Sequence, residues 1–211
     1  MKLTNKPIKR LSLYIFLIFL AFQTPSQADD IRDFQIEGMS LGDSLLDYFS
    51  ESEINNKKTF SYKSKKYATV TFEKDLEIYD EILIDLINND KKFIIHTVSG
   101  FLNYENKIDE CLKKKKEIVN ELIELVNKKK IDSYMHYYDN SRLNIGLDVE
   151  FKSESKSHIS DINFDSGDKM RIWCDDWSDE VSKKRNWPDA LNVNLTSKSF
   201  DDWLINESEG Q

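Results

Sequence analysis

The sequence of 211 residues predicts an α+β fold: an antiparallel sheet or sheets of about six strands, one long central helix and short flanking helices packed to one side. Three observations indicate this class. Apolar and polar residues alternate over 67–72, as in a half-buried strand. Turn-forming residues at 88–91 separate two apolar segments and predict a hairpin. A wide apolar stripe at helical spacing runs over 107–129.

The first half is predicted to contain two short helices followed by three strands. An entry segment at 29–39 includes a short strand around Phe34 and Ile36. Ser40 resembles an N-cap with Asp43 three residues on, followed by leucines at helical spacing. The remaining predicted elements are a helix at 51–56, a basic loop or edge at 57–66, and strands at 67–72, 78–87 and 93–104.

The second half begins with the long helix over 107–129, and its lysine runs are expected on a solvated face and at the C-terminal end. A Tyr-rich loop at 131–142 follows. The later predicted elements are strands at 145–151, 157–165, 169–176 and 191–195, a polar helix at 178–186, and a last helix capped by Ser199.

Residues 1–28 have the layout of a cleavable secretory signal. Four basic residues precede an apolar run of 12 residues, Leu11–Phe22, and a small-x-small ending at Ser26–Ala28. The run is too short for a membrane span, which needs about 20 apolar residues, so no stable span is expected after cleavage. Residues 29–211 are then a single exported α+β domain with candidate sub-lobes 29–105 and 106–208.

The mature chain is predicted to be strongly acidic. Loss of the four basic signal residues leaves 26 basic against 38 acidic residues, a formal charge of −12. Nucleic-acid binding requires a basic surface, so this charge argues against a nucleic-acid partner. The expected partner is an unidentified protein or a component of the cell envelope.

Two cysteines remain, Cys111 and Cys174, and an even count in an exported protein favours a disulfide. Cys111 lies on the apolar stripe of the long helix, and Cys174 alternates with Met170 and Ile172 on a strand. The loop would span about 64 residues, for which the chain-entropy relation gives about 4 kcal/mol. The alternative is two buried free thiols.

The chain lacks the common catalytic and metal-binding motifs. None of its three histidines has a partner at metal spacing, and no HExxH, CxxC or phosphate loop occurs, so no cofactor and no metal site are predicted. Among the histidines, His136 in the Tyr-rich segment is the candidate for an exposed position in a cleft.

The most unusual segment is 173–180, where four carboxylates accompany two tryptophans. We consider two interpretations: a binding surface for a cation, a sugar or a cationic ligand, and a strand end that runs into an acidic helix start. The candidate binding surface comprises Trp173, Asp175, Asp176, Trp177 and His136.

Segments 34–49, 91–96 and 173–177 together resemble small exported bacterial proteins of uncharacterised function. That resemblance implies no activity and no site residues. Ile36–Ser40, followed by helices and strands, also resembles the small outer-membrane-assembly lipoprotein domain, which implies a fold only; the lipidated cysteine of that family is absent here.

Two functional hypotheses follow. The first is a non-enzymatic periplasmic or secreted protein that binds a protein or an envelope component, because no nucleophile–base pair is apparent. The alternative is an enzyme that acts on a glycan or similar polymer with carboxylates near Asp175–Glu180.

Overall fold

The computed structural model describes residues 30–60, 62–126, 131–137 and 155–209. The predicted signal segment 1–28 and the predicted strand 145–151 lie outside the described residues. Within them the chain forms an antiparallel sheet with four α-helices, so the predicted α+β class is confirmed.

The helices are α1 (Glu51–Lys57), α2 (Ile108–Leu125), α3 (Asp179–Arg185) and α4 (Lys198–Glu209). The strands are β1 (Lys58–Thr59), β2 (Tyr67–Phe72), β3 (Glu81–Ile87), β4 (Ile95–Glu105), β5 (Ile131–Tyr137), β6 (Lys156–Asn163), β7 (Lys169–Asp176) and β8 (Asp189–Thr196).

One sheet contains all eight of these strands in the order β1-β2-β3-β4-β8-β7-β6-β5, and each neighbouring pair is antiparallel. The prediction of about six strands was therefore wrong. The sheet is continuous across the boundary between the candidate sub-lobes because β4 pairs with β8 along eight register positions. The domain division itself stays a prediction.

The hydrophobic core lies on one face of this sheet, which we call the apolar face. The apolar side chains of alternate strand positions, such as Ile84, Val98 and Val193, are buried there. Helix α2 packs against β7, β8 and β4 on this face. The N-terminal segment 31–45 adds further buried side chains to the same cluster.

The predicted cysteine pair meets in this core. The Sγ atoms of Cys111 on α2 and Cys174 on β7 are 1.98 Å apart, at disulfide distance, and their Cα atoms are 6.1 Å apart. Both residues are fully buried. The pair joins the long helix to the centre of the sheet, as the shared apolar periodicity predicted.

Helices occupy both faces of the sheet, which corrects the expectation that they pack to one side. The side chain of Tyr67 points away from the apolar face, and Phe200 and Trp203 of α4 pack around it. Ring centroids lie 4.8 Å apart for Tyr67 and Phe200 and 4.6 Å apart for Tyr67 and Trp203. The apolar residues of α4 therefore pack on the face opposite α2.

The predicted helix from Ser40 is only a short 3₁₀ turn at Leu45–Asp47. Only half of the expected capping box forms: the Ser40 N–H donates to the Asp43 carboxylate at 2.8 Å, but Ser40 Oγ donates to the Phe34 carbonyl oxygen at 2.9 Å instead of capping a helix. Gly42, however, has φ +88, in the left-handed region that a right-handed helix does not use. The local cap therefore stabilises a turn rather than a helix, while Leu41 and Leu45 still reach the core.

The predicted Tyr-rich loop is in part a strand. Residues 131–137 form β5 and pair with β6 at seven register positions. In this segment Ile131, Ser133 and Met135 alternate with Asp132, Tyr134 and His136. Its polar residues are typical of a loop, whereas its tyrosines favour a strand. The segment is a strand because its backbone pairs with β6.

Within the described ranges, no helix has both the length and the apolar character needed to cross a membrane.

Candidate functional site

The face of the sheet opposite α2 is polar, and we call it the polar face. Directly opposed residues of antiparallel strands project to the same side, so the register defines rows across the sheet. One row contains Thr69, Asp85, Thr97, Thr196 and Lys169. The next row contains Leu83, Ser99, Asn194, Arg171 and Asp161.

A groove of about 730 Å³ follows these rows. Six strands supply its floor, with Tyr62 and helix α4 at one end and Tyr134 at the other. Aromatic and aliphatic side chains lie among the polar ones: Leu83, Ile159, Trp173, Phe200 and Leu204. The groove thus combines hydrogen-bonding groups with apolar surface, which is the usual composition of a ligand site.

Asp85 lies at the end of the groove near α4. Its carboxylate accepts hydrogen bonds from the hydroxyls of Thr69 at 2.6 Å, Thr97 at 3.2 Å and Tyr62 at 3.4 Å. Burial raises the pKa of Asp85, because the charged form loses water, and the three hydroxyls act in the opposite direction. Burial also raises the pKa of Tyr62, with the Asp85 charge adding to the effect. The Tyr62 hydroxyl therefore keeps its proton and serves as a donor.

The centre of the floor is a chain of neutral groups. The Asn194 side-chain amide donates to Ser99 Oγ at 2.8 Å, and Asn194 Oδ1 accepts from the Thr196 hydroxyl. Each group is thereby oriented before any ligand arrives. Such preorganisation lowers the entropic cost of binding.

Two ion pairs flank this centre. Arg171 donates to both carboxylate oxygens of Asp161, at 2.7 and 2.8 Å, and to the hydroxyl of Tyr134 at 3.1 Å. The hydrogen bond with Asp161 raises the pKa of Arg171. Lys169 Nζ lies 2.8 Å from the Asp201 carboxylate of α4, which ties that helix to the sheet.

A second network surrounds Asp175, which is 8% exposed on the polar face. Its carboxylate accepts hydrogen bonds from Ser157 Oγ, from Trp173 Nε1 at 3.0 Å and from Asn192 Nδ2 at 3.0 Å. Asn192 is fully buried, and its Oδ1 has no hydrogen-bond partner among the described residues. This network holds the Trp173 indole at the margin of the groove.

The residues of the predicted binding surface lie in several places. Trp173 and Asp175 share the polar face, and Trp173 lines the groove. Asp176 projects to the other face, where its carboxylate is 3.0 Å from Lys156 Nζ. Trp177 packs on Trp187 with ring centroids 5.0 Å apart. The backbone of His136 pairs with Ser157, and its side chain lies outside the described residues. Ligand binding by these five residues stays a prediction.

Most residues of the groove were not predicted from the sequence, among them Asp85, Ser99, Asn194 and Arg171. A signal was present, because polar residues recur at alternate positions of strands whose other positions are mostly apolar, as with Thr97 and Ser99 on β4. That pattern also describes an ordinary solvated face. Only the register across six strands distinguishes a groove from such a face.

No group of three or more His, Cys, Asp or Glu side chains suited to a metal ion occurs in the part of the chain that the structure describes. No family model, no curated protein and no solved structure matches the chain. The groove geometry is therefore the basis for a functional assignment.

Proposed function

We propose that this chain is an exported, non-enzymatic binding protein that holds a polar ligand of the cell envelope in the groove of the polar face. One observation carries the proposal: a groove of about 730 Å³ whose polar floor is already ordered by its own hydrogen bonds. This volume lies within the range of roughly 300 to 1,000 Å³ of ordinary ligand sites.

Export is supported by two independent features. The first 28 residues have the charge and apolar pattern of a secretory signal. Cys111 and Cys174 lie at disulfide distance, and disulfides persist mainly in oxidising compartments outside the cytosol. Together they favour the periplasm or the extracellular space.

Binding is favoured over nucleophilic catalysis by the arrangement of the hydroxyl groups. Ser99 Oγ accepts a hydrogen bond from the Asn194 amide, and no histidine or carboxylate of the described residues accepts the proton of its hydroxyl. In the row that contains Ser157, the register places the serine between His136 and Asp175. A nucleophilic triad needs the histidine between the serine and the carboxylate.

The carboxylates also favour binding over the alternative, a glycan-cleaving enzyme. Such enzymes need two carboxyl groups roughly 5 to 9.5 Å apart on either side of the scissile bond. Asp175 and Asp176 project to opposite faces of the sheet, and Asp179 and Glu180 are exposed in the first turn of α3. Asp85 and Asp175 are three strand spacings apart across the sheet, about 14 Å, and the register offsets them by a further six residues along the strands, about 20 Å.

The side chains of the groove indicate a ligand with both polar edges and an apolar surface. Tyr62, Tyr134 and Trp173 provide rings, and the amide, hydroxyl and guanidinium groups between them provide donors and acceptors. Fragments of an envelope glycan or of an envelope protein have this mixed character.

The test is a thermal-shift screen of the chain 29–211 against soluble peptidoglycan fragments, envelope oligosaccharides and short peptides. Leu83→Trp places a large side chain in the groove, and Leu46→Trp makes the same change at an exposed position outside it. We expect at least one fragment class to stabilise the parent and Leu46→Trp but not Leu83→Trp. Stabilisation that Leu83→Trp leaves intact would overturn the assignment to the groove, and consumption of the fragment with loss on Asp175→Ala would favour the enzyme.

A further inference from the structure

Asp85 is a buried carboxylate in the groove, and no cation among the described residues pairs with it. The residue is 7% exposed and lies on β3, between β2 and β4. Its described contacts are the hydroxyls of Thr69, Thr97 and Tyr62, and no lysine, arginine or histidine side chain of the described residues forms an ion pair with it.

Two other carboxylates on the sheet do have a basic partner. Asp161 lies 2.7 Å from Arg171 Nε, and Asp176 lies 3.0 Å from Lys156 Nζ. Buried charges in proteins are normally paired because desolvation makes an isolated charge unfavourable. Among the described residues Asp85 has no such pairing, since Lys169 in the same row is bound to Asp201, so the ionised carboxylate is left without a counter-charge beside it.

The three hydroxyls that donate to Asp85 leave its carboxylate able to accept one more hydrogen bond. An ionised carboxylate offers about four acceptor positions, and three are occupied here. A primary ammonium carries three N–H donors on one nitrogen, so it can use the remaining position and reach neighbouring oxygens.

The side chains around this end suit an organic cation. Tyr62 donates to Asp85, Phe200 packs on Tyr62 and lines the same groove, and an aromatic ring attracts a nearby cation through its negative face. The Tyr62 ring is held by edge contacts with Phe200 and Trp203, at centroid distances of 5.9 and 4.9 Å. Leu83 and Leu204 offer apolar surface to an alkyl chain.

We propose that the Asp85 end of the groove binds the protonated amine of an organic ligand. This inference rests on the proposed function and specifies it: the envelope ligand carries an amino group on an aliphatic or sugar carbon. The amine provides the missing charge for Asp85, and the remainder of the ligand extends along the floor toward Ser99 and Asn194.

The experiment titrates the chain 29–211 with n-butylammonium chloride and, separately, with 1-butanol, and follows the backbone amide NMR shifts of Thr69, Asp85 and Thr97. We expect butylammonium to shift these amides with saturation at millimolar concentration, and 1-butanol to bind roughly tenfold more weakly or not at all, because its hydroxyl offers one neutral donor and no positive charge. Sodium chloride at equal ionic strength controls for screening.

Two variants test whether butylammonium binding depends on Asp85. Asp85→Asn keeps the shape and removes the charge, and Glu81→Gln removes a charge from the same strand and the same face, four residues away. We expect Asp85→Asn to weaken butylammonium binding roughly tenfold or more and Glu81→Gln to leave it within about twofold. Should Asp85→Asn fail to fold, the comparison of butylammonium with 1-butanol and sodium on the parent chain decides alone.

The outcomes separate this inference from the function on which it rests. Equal weakening by Asp85→Asn and Glu81→Gln, or equal shifts with sodium, would overturn the amine site. A neutral fragment that binds the groove while butylammonium does not would overturn the amine site and leave the binding function intact. Absence of any ligand for the groove, amine or neutral, would contradict both.

Discussion

Asp85 lines the groove, and its burial makes the charged form of its carboxylate unfavourable. Burial raises its pKa, so the folded chain holds this proton more tightly than the unfolded chain does. A raised carboxyl pKa stabilises the fold most at acidic pH. That stabilisation is lost as pH rises from the unfolded value, about 3.9, through the folded value.

At the residue scale we therefore predict that Asp85→Asn stabilises the fold at neutral pH relative to the parent chain. Urea unfolding from pH 4 to pH 7 should show the stability of the parent falling relative to the variant as pH rises. Glu81 has a pKa raised in the same direction by burial but is more exposed, so Glu81→Gln should give a smaller effect. If the difference in the free energy of unfolding between Asp85→Asn and the parent chain shrinks toward neutral pH, this account of Asp85 is contradicted.

A second prediction concerns Glu37, whose φ of +51 places it in the left-handed region. Its carboxylate accepts the backbone N–H groups of Glu77, Ile78 and Tyr79 at 2.8 to 2.9 Å. Glu37→Gln places an amide that has only one acceptor oxygen against these donors. We expect a loss of roughly 1–2 kcal/mol in the free energy of unfolding, measured by urea denaturation.

Glu77→Gln removes a neighbouring exposed carboxylate without changing those backbone donors, so it should lie within about 0.5 kcal/mol of the parent chain. Equal effects of Glu37→Gln and Glu77→Gln would indicate that net charge, and not the three hydrogen bonds, stabilises this segment.

At the scale of the elements, β4 depends on a close approach at Gly100. A Cβ atom at this position would lie 2.6 Å from the ring of Tyr79, which is 8% exposed. We predict that Gly100→Ala destabilises the fold by about 1–3 kcal/mol, as overpacking does in other cores. The measurement is chemical denaturation, with a Gly100→Ala, Tyr79→Leu double variant that relieves the clash.

The double variant should be less destabilised than the two single variants together, because the alanine methyl then has space. Additive effects would show that Tyr79 does not limit the space at Gly100.

Prediction from sequence succeeded for elements with a strong, long periodicity and failed where tertiary pairing decided the outcome. The helix α2 and the strands β2, β3 and β7 were predicted because each alternates or repeats clearly over its length. The strand β5 was predicted as a loop because tyrosines and polar residues occur in both strands and loops. The helix expected from Ser40 did not form because the left-handed Gly42 interrupts it.

The candidate site was predicted less well than the fold. The pattern around residue 173 led to Trp173, which lines the groove, but also to Asp176, which projects to the opposite face. Asp85 and Arg171 belong to strands far apart in sequence. A single sequence does not reveal that β3 and β7 share one sheet with only β4 and β8 between them.

At the scale of the whole molecule, the pair Cys111 and Cys174 connects α2 to the sheet across a sequence separation of 63 residues. We predict that Cys111→Ser with Cys174→Ser lowers the free energy of unfolding by about 4 kcal/mol through the larger entropy of the unfolded chain. Denaturation of the parent chain with and without reductant is the check. If reductant leaves the denaturation midpoint of the parent chain unchanged, Cys111 and Cys174 are not joined by a disulfide.

The central claim is that the chain is exported and carries an envelope ligand in the groove of the polar face. The most direct measurement is denaturing and native intact mass, without reductant, on protein recovered from the envelope of the producing cell, for the parent chain and Leu83→Trp. We predict a denatured mass that lacks residues 1–28 and is two hydrogens short, with added native mass on the parent but not on Leu83→Trp. An uncleaved mass with free thiols would contradict export, and equal added mass on both proteins would contradict the groove.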